Sequence, residues 1–464
     1  MKVAVVTLGC DKNTVDSERY LADLADRGAE PTDDPAHADV ILVNTCGFID
    51  AAKQESIDAI VEAGRLKARG RARAVVAVGC MVERHRRELE AVLPEVDLFL
   101  GASEMDRLVP ELVGRGLLDD APVAHPGVRL FSGELPHVRY LKVSEGCDHG
   151  CAFCAIPLMR GRHRSFALDD VVREAQLLEA QGAREVNLVA QDLAHYGRDL
   201  RDTGESLPLL LETLVRETGI PWIRMLYLYS AGITPKLLQL VATEPRIVPY
   251  FDMPMQHGSD ELLKRMRRPE RNRTIREKVQ RIRDVVPDVA IRTTCIVGFP
   301  GETDADFETL LALLEEVQFD RVGAFTYSAQ EGTAAHAMSD DVPEPVKLER
   351  LERLAELQRF IAAERFEARE GHTVRAIVDR VTADRIEART VWQAPEIDGT
   401  TTIQWEVGSG KWDVRSGDIV DVVIEGVSED ADLTASIVRV TSHFALPTHP
   451  RRNLPLATVG SYGR

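Results

Sequence analysis

Three times in its first 100 residues the chain runs a continuous apolar stretch straight into a cysteine: VAVVTLG into Cys10, DVILVNT into Cys46 and RAVVAVG into Cys80. Unbroken runs rich in Val and Ile, rather than runs alternating apolar with polar residues, suit strands of a parallel sheet covered on both faces. Helical patterns follow at about 13–27, 50–69 and 82–92, and the Cys-to-Cys intervals of 36 and 34 residues are each close to one βα unit. An α/β fold with a doubly wound parallel sheet is therefore expected over residues 1–114, with VDLFLGA at 96–102 as a further strand. That topology carries all three thiols to the carboxyl edge of the sheet, where open α/β sheets bind ligands.

Periodicity fades and Gly, Pro and Asp accumulate over 113–136, which places a linker at 115–132. A second α/β series occupies 133–364, with strands expected at 138–144, 185–191, 222–229, 248–254, 289–299 and 321–327. Six βα units make a partial (βα)6 barrel, whose functional groups belong at the strand C-termini. One amphipathic helix at 345–370 leaves it. Over 367–440 short runs separated by Gly and Asp predict a small antiparallel β-barrel. The last segment, 441–464, carries three Pro, three Arg and little apolar content and is expected to be a disordered tail.

With 464 residues the chain has room for two to four domains. No stretch approaches the ~18 unbroken apolar residues of a membrane span. The N-terminal run lacks a cleavage-site pattern and reads as a first strand, so a cytoplasmic location is expected. The 57 basic against 75 acidic side chains, net −18, argue against broad phosphate-backbone binding and favour a basic partner. Seven cysteines, an odd number with no export signal, point to metal or redox chemistry rather than a disulfide framework.

The strongest local signal is Cys147-Asp-His-Gly-Cys151-Ala-Phe-Cys154, directly after the first barrel strand. Three thiolates from one short loop hold three corners of a cubane iron-sulfur cluster and leave the fourth iron open. A structural zinc site closes with four protein ligands, and His149, inside the loop, is too close to serve as the fourth. Free cysteines are often simply buried, but Cys10, Cys46 and Cys80 at equivalent edges of one sheet point to a shared ligand. Cys295 lies mid-strand in TTCIVGF and is expected to be core packing.

The Cys-x3-Cys-x2-Cys spacing, with Phe153 before its last Cys and a partial barrel after it, resembles the radical S-adenosylmethionine enzymes. LGCDKN, VNTCGF and VGCM, then SEGCDHGCAFCAIPLMRG and a terminal β-domain, are similar to the methylthiotransferase family along nearly the whole chain. Within it, LGCDKNTVDSE, NTCGFIDAAKQES, PLMRG, AQD, DMPMQH, IVGFPGET and APEIDG resemble the branch that modifies an aspartate of small-subunit ribosomal protein 12. The sister branch modifies tRNA adenosines and typically has a Ser-Gly pair where this chain has Gln256-His257.

The resemblance implies an enzyme that adds a methylthio group to the β-carbon of that aspartate, using two 4Fe-4S clusters and S-adenosylmethionine. It assigns catalysis to Cys147, Cys151 and Cys154, whose cluster chelates S-adenosylmethionine and reduces it to a deoxyadenosyl radical. Cys10, Cys46 and Cys80 would hold an auxiliary cluster whose open iron carries the sulfur to be delivered. It places the cofactor pocket at strand ends: Gln191 and Asp192, Gln256 and His257, Val297 and Gly298. The β-domain resembles the TRAM module, but its 15 acidic and 8 basic side chains suit a basic ribosomal protein better than phosphates, with Asp418, Asp421 and Glu425 as an acidic docking face. The partners expected are ribosomal protein 12 and a reducing electron donor, with no membrane and no direct high-affinity nucleic acid binding. The alternatives are a tRNA adenosine methylthiotransferase, which calls for a basic terminal domain, and a non-catalytic ribosome-associated metal-binding module, which leaves the missing fourth ligands unexplained.

Overall fold

A computed structural model describes residues 1–120, 129–131, 133–200, 202–339, 341–404, 413–428 and 430–442. The N-terminal sheet comprises β1 (Lys2–Thr7), β2 (Glu30–Pro31), β3 (Val40–Thr45), β4 (Ala74–Gly79) and β5 (Leu98–Gly101), all parallel, in the order β2-β1-β3-β4-β5. Its residues alternate between two cores. Val3, Val5, Val40, Leu42 and Val76 face α1 (Asp11–Ala25); Ala4, Val6, Ile41, Val43, Val75 and Ala77 face α2 (Asp50–Arg69) and α3 (Cys80–Val92). Because both faces are covered, the strands need apolar residues at every position. The edge strand β2 carries no such run and was not legible: two residues, one a proline, pair only with Lys2 and Val3. The segment expected as a linker is anchored at its end, with Leu130 in the sheet's core and the Arg129 guanidinium buried between Glu18 and Glu174.

The central unit has six parallel strands: β6 (Val138–Lys142), β7 (Glu185–Val189), β8 (Trp222–Met225), β9 (Tyr250–Asp252), β10 (Ala290–Val297) and β11 (Arg321–Thr326). They form two three-stranded sheets, β8-β7-β6 and β9-β10-β11, joined by a parallel bridge between Ile223 and Ile247. The result is the expected partial barrel. The helix Glu344–Glu367 leaves it, burying Leu354 and Ile361 in the barrel's core and Ala362 and Phe366 in the next.

The terminal domain is a closed barrel of β12 (Thr373–Val381), β13 (Arg385–Thr390), β14 (Thr401–Gln404), β15 (Ile419–Val427) and β16 (Leu433–Ser442), in the order β12-β13-β14-β16-β15. Four pairings are antiparallel as expected, whereas β14 and β16 run parallel. Five strands cannot alternate direction around a closed ring, so one neighbouring pair must be parallel. This barrel packs Trp392, Ile377 and Val420 against Trp222, Val248, Tyr250 and Ala290, residues at the N-terminal ends of the central strands. Trp392 Nε1 also donates to the Asp288 carbonyl at 2.8 Å. The small barrel therefore covers the base of the central one, and the mouth faces away from it.

One residue of the expected docking face is misplaced. Asp418 is fully buried and accepts from the Arg415 backbone N–H at 2.9 Å, so its carboxylate braces a turn inside the domain. Asp421 is paired with Arg439, and Glu425 accepts from the Ser436 hydroxyl. The expected disordered tail lies outside the described residues from 443 onward. Among the described residues no helix is long and apolar enough to cross a membrane.

Candidate active site

The three strand-end cysteines meet where the sheet order reverses. Cys10 caps the N-terminus of α1, Cys46 follows β3 and Cys80 opens α3. Two glycines make this possible. Gly9 holds φ +90°, and a Cβ there would lie 2.9 Å from Cys46 Sγ; Gly79 holds φ +100°, and a Cβ there would strike the Asn44 amide oxygen. Around the thiols the motif residues brace the backbone. Asn13 donates to the Leu8 carbonyl at 2.7 Å and the Thr45 carbonyl at 3.2 Å, Asn44 donates to the Asn13 carbonyl at 3.0 Å, and the Ser56 hydroxyl accepts from Cys46 N–H at 2.9 Å.

Burial, with Cys10 next in effect, pushes the Cys46 thiol up to about 12. Burial raises Cys80 to about 11 even though the nearby Arg160 guanidinium opposes it. In the other triad, burial raises Cys147 to about 11 and Cys154 to about 12. Such thiols ionise when a cation takes up the charge, as iron does. A single zinc ion with bonds of about 2.3 Å would draw its sulfurs to about 3.8 Å apart. Among the described residues, the only three potential ligands with donor atoms all within 4.8 Å of one another are His149, Asp192 and His195, so neither cysteine triad closes that tightly. Wider triads of buried or half-buried thiols, each without a fourth cysteine, fit a polynuclear iron-sulfur cluster.

The second triad lies on the loop between Glu145 and the helix Ile156–Arg160. Its backbone is pinned at both sides: Ala152 N–H donates to the Met266 carbonyl at 2.9 Å, and the Ala152 carbonyl accepts from Ala335 N–H at 2.7 Å. The two triads approach each other across a domain boundary. Cys80 packs with Ala155 and Met159, on the turn and helix that follow Cys154. Beside them Lys12 sits 3.3 Å over the Tyr227 ring, whose hydroxyl donates to Asp11 at 3.2 Å. The N-terminal sheet thus lays its cysteine edge over the mouth of the barrel.

The residues expected to line a cofactor pocket divide into two kinds. Gln191 and Gln256 each carry a buried amide oxygen with no hydrogen-bond partner among the described residues. Gln256 also holds φ +77°, a strained value for a non-glycine residue, at a bridge to Cys295. Two orphaned acceptors at the barrel mouth fit a ligand that donates N–H or O–H groups, such as the amine and ribose of S-adenosylmethionine.

The others have no orphaned amide oxygen. Asp192 is buried; although burial alone would raise it, hydrogen bonds from His149 and His195 hold its carboxyl well below the usual range. His257 is fully buried, accepts from Ser259 N–H at 2.9 Å and stands 4.0 Å from Glu302. Glu302 in turn accepts from the backbone N–H groups of Gly298 and Phe299, while His257 Nε2 is buried with no hydrogen-bond partner among the described residues. Val297 is buried, and the close approach that Gly298 allows is to the Lys347 side chain. Cys295 is fully buried in the barrel core, and burial raises its thiol far above the usual range.

Sequence reasoning missed three features. His149 leaves its loop to meet Asp192 at 2.5 Å and stacks on Tyr229, with ring centroids 3.8 Å apart. His149, Asp192 and His195 line a cavity of about 570 Å³ that reaches Cys147. Two buried arginines, Arg160 and Arg268, point N–H groups at the sulfurs of Cys80 and Cys151, at 3.0 and 3.6 Å. Only the PLMRG motif signalled any of these, by placing Arg160 six residues after Cys154.

Comparison with known proteins matches the three units separately. Residues 2–101 match an uncharacterized protein family, UPF0004; residues 141–314 match the Radical SAM superfamily; residues 371–438 match the TRAM domain. The ribosomal protein uS12 methylthiotransferase RimO of Anaeromyxobacter sp. (strain K) is 45% identical over 97% of both chains. RimO of Geobacter sulfurreducens is 43% identical over 94% of this chain and 98% of its own. Among solved structures, the radical S-adenosylmethionine methyltransferase TsrM from Kitasatospora setae superposes with a TM-score of 0.53 at 14% identity, covering 72% of this chain and 73% of that one. At that identity the likeness is one of fold.

Proposed function

The chain belongs to the RimO family of ribosomal protein uS12 methylthiotransferases, and from that membership we propose that it transfers a methylthio group to the β-carbon of an aspartate of uS12, in the cytoplasm. Cys147, Cys151 and Cys154 hold the catalytic 4Fe-4S cluster, and Cys10, Cys46 and Cys80 hold an auxiliary one. The observation that carries this reading is the approach of the two triads, with Cys80 packed on the turn and helix that follow Cys154. Bound there, the clusters and S-adenosylmethionine supply the reducing electron, the carbon-centred radical and the sulfur.

The chain's own residues place these groups and exclude water. Gln191 and Gln256 offer their free amide oxygens to S-adenosylmethionine. The cysteine edge of the sheet closes the barrel mouth from above, where Lys12, Tyr227 and Asp11 join the two domains. An acidic chain of net −18 attracts a basic ribosomal protein and repels an RNA backbone, which supports uS12 over tRNA as the substrate.

Anaerobically reconstituted protein with S-adenosylmethionine and a chemical reductant is expected to carry about eight irons per chain. It should add the mass of a methylthio group to one aspartate of uS12, read by peptide mass spectrometry. Modification of a tRNA adenosine with uS12 left untouched would assign the chain to the other branch.

A further inference from the structure

Arg160 is buried at the contact between the two domains, its side chain 4% exposed. It ends the helix Ile156–Arg160, which begins two residues after Cys154, yet its guanidinium crosses to the other triad. Nε donates to Cys80 Sγ at 3.0 Å, Nη1 donates to Asp16 at 2.6 Å, and Nη2 donates to the Asn13 amide oxygen. Lys142 lies against the same carboxylates, Asp16 and Glu145, and Gln191 donates to Glu145 at 2.9 Å. Two cations thus balance two carboxylates without counting any sulfur. The Nε–H directed at Cys80 is additional to that balance, and only the planar fork of an arginine serves the carboxylate and the sulfur together.

We propose that Arg160 is a positioning residue that tunes the auxiliary cluster, its Nε–H donating to the Cys80 sulfur and raising the cluster's reduction potential. The inference rests on the assignment of Cys10, Cys46 and Cys80 as ligands of that cluster. A hydrogen bond from a cationic donor to a cluster thiolate stabilises the reduced state, which carries one more negative charge, over the oxidised one. The interaction also ties the potential to geometry. Arg160 is held through Asp16 by α1 and through Glu145 by the residue that pairs with Gln191, so a shift at the cofactor pocket reaches the sulfur through three side chains. Arg268 is its counterpart at the other triad, with Nη1 3.6 Å from Cys151 Sγ and a salt bridge to Glu270 at 3.1 Å.

The test is an EPR-monitored redox titration of full-length reconstituted protein carrying Cys147, Cys151 and Cys154→Ala, so that only the auxiliary cluster reports. Adding Arg160→Lys keeps the charge and removes the donor that reaches the sulfur. Adding Arg160→Met with Asp16→Asn removes both and keeps the pocket's charge balanced, which guards against a variant that fails to fold. Each is expected to lower the reduction equilibrium constant about tenfold, about 59 mV for a one-electron couple. Arg268→Lys should leave this potential unchanged. Full iron content with an unshifted potential in both Arg160 variants would overturn the role of Arg160 and leave the ligand assignment standing. Absence of any cluster from the triple Cys→Ala parent would overturn the ligand assignment and this inference with it.

Discussion

The two ends of the central barrel are finished in opposite ways. At the mouth stand six thiols, two amide oxygens without hydrogen-bond partners among the described residues, and a glutamine held at positive φ. At the base an ion network fills the space between the central strands and the small barrel. Glu185 is paired with Arg224 at 2.8 Å and Arg389 at 2.7 Å, and Asp379 with Arg389 at 2.7 Å and His137 at 2.9 Å. Glu185 and Arg224 are fully buried, and Arg389 nearly so. Thiols and unpartnered amide oxygens at the C-terminal end and paired charges at the N-terminal end are the division of labour expected of a barrel enzyme, with chemistry at one end and stability at the other. The comparison implies that changes at the mouth remove activity without unfolding the chain, and that changes at the base do the reverse.

The largest effect is expected at the mouth. Replacing Cys147, Cys151 and Cys154 together by Ala should abolish methylthiolation of uS12, because no side chain can supply the radical. Iron should fall from about eight to about four per chain, with the auxiliary cluster's EPR signal intact. The urea midpoint of the terminal barrel, followed by the fluorescence of its tryptophans, should not move. A variant that loses all its iron would show the two triads to be one site, and the division between the domains would fail.

An intermediate effect is expected at the base, and it carries a pH signature. Burial alone would raise the Asp379 carboxyl, but Arg389, with hydrogen bonds from His137 and Arg389, holds it at about 2. A carboxyl depressed in the folded state adds stability that is fully present above its unfolded value of 3.8 and is lost as pH falls toward 2. A shift of that size corresponds to about 2 kcal/mol. Asp379→Asn should therefore lower unfolding free energy by about that much at pH 7 while leaving iron content unchanged. The gap between wild type and variant should stay constant down to about pH 5 and narrow below about pH 4. A gap that does not narrow would mean that lost packing, rather than lost charge, accounts for the effect.

The same contrast explains what the sequence disclosed. The mouth was legible because its chemistry is written in cysteine spacing: one triad within eight residues, the other at three equivalent points of a βα repeat. The strands were legible because each face of the sheet is covered and the apolar runs are unbroken. The base was not legible, because its polar pairs join residues far apart in the chain: Glu185 to Arg389, His137 to Asp379, Tyr250 to Asp398. No local pattern marks an arginine that will be buried against a glutamate 204 positions away. The acidic face read from composition failed at Asp418 for a related reason, since a net charge does not say which carboxylates stay in solvent. His257 and Gly298 were read from their place at strand ends, a signal that does not disclose that His257 is fully buried or that Gly298 lies against the Lys347 side chain.

The smallest effect is expected between the two ends. Cys295 lies in β10 with no exposure, among the apolar side chains of the barrel core, and its backbone neighbours Gln256 through a bridge. It is a cysteine by chemistry and a small apolar residue by position. Cys295→Ala removes one buried sulfur and leaves a cavity of about that atom's size, so a loss of about 1–2 kcal/mol in unfolding free energy is expected. Iron content should remain at about eight per chain, since the thiol belongs to neither triad. Activity should remain within about twofold, because Gln256 keeps the backbone bridge that positions its amide whatever side chain follows the β10 backbone. Loss of about four irons from this single change would make Cys295 a ligand and break the separation of mouth from core.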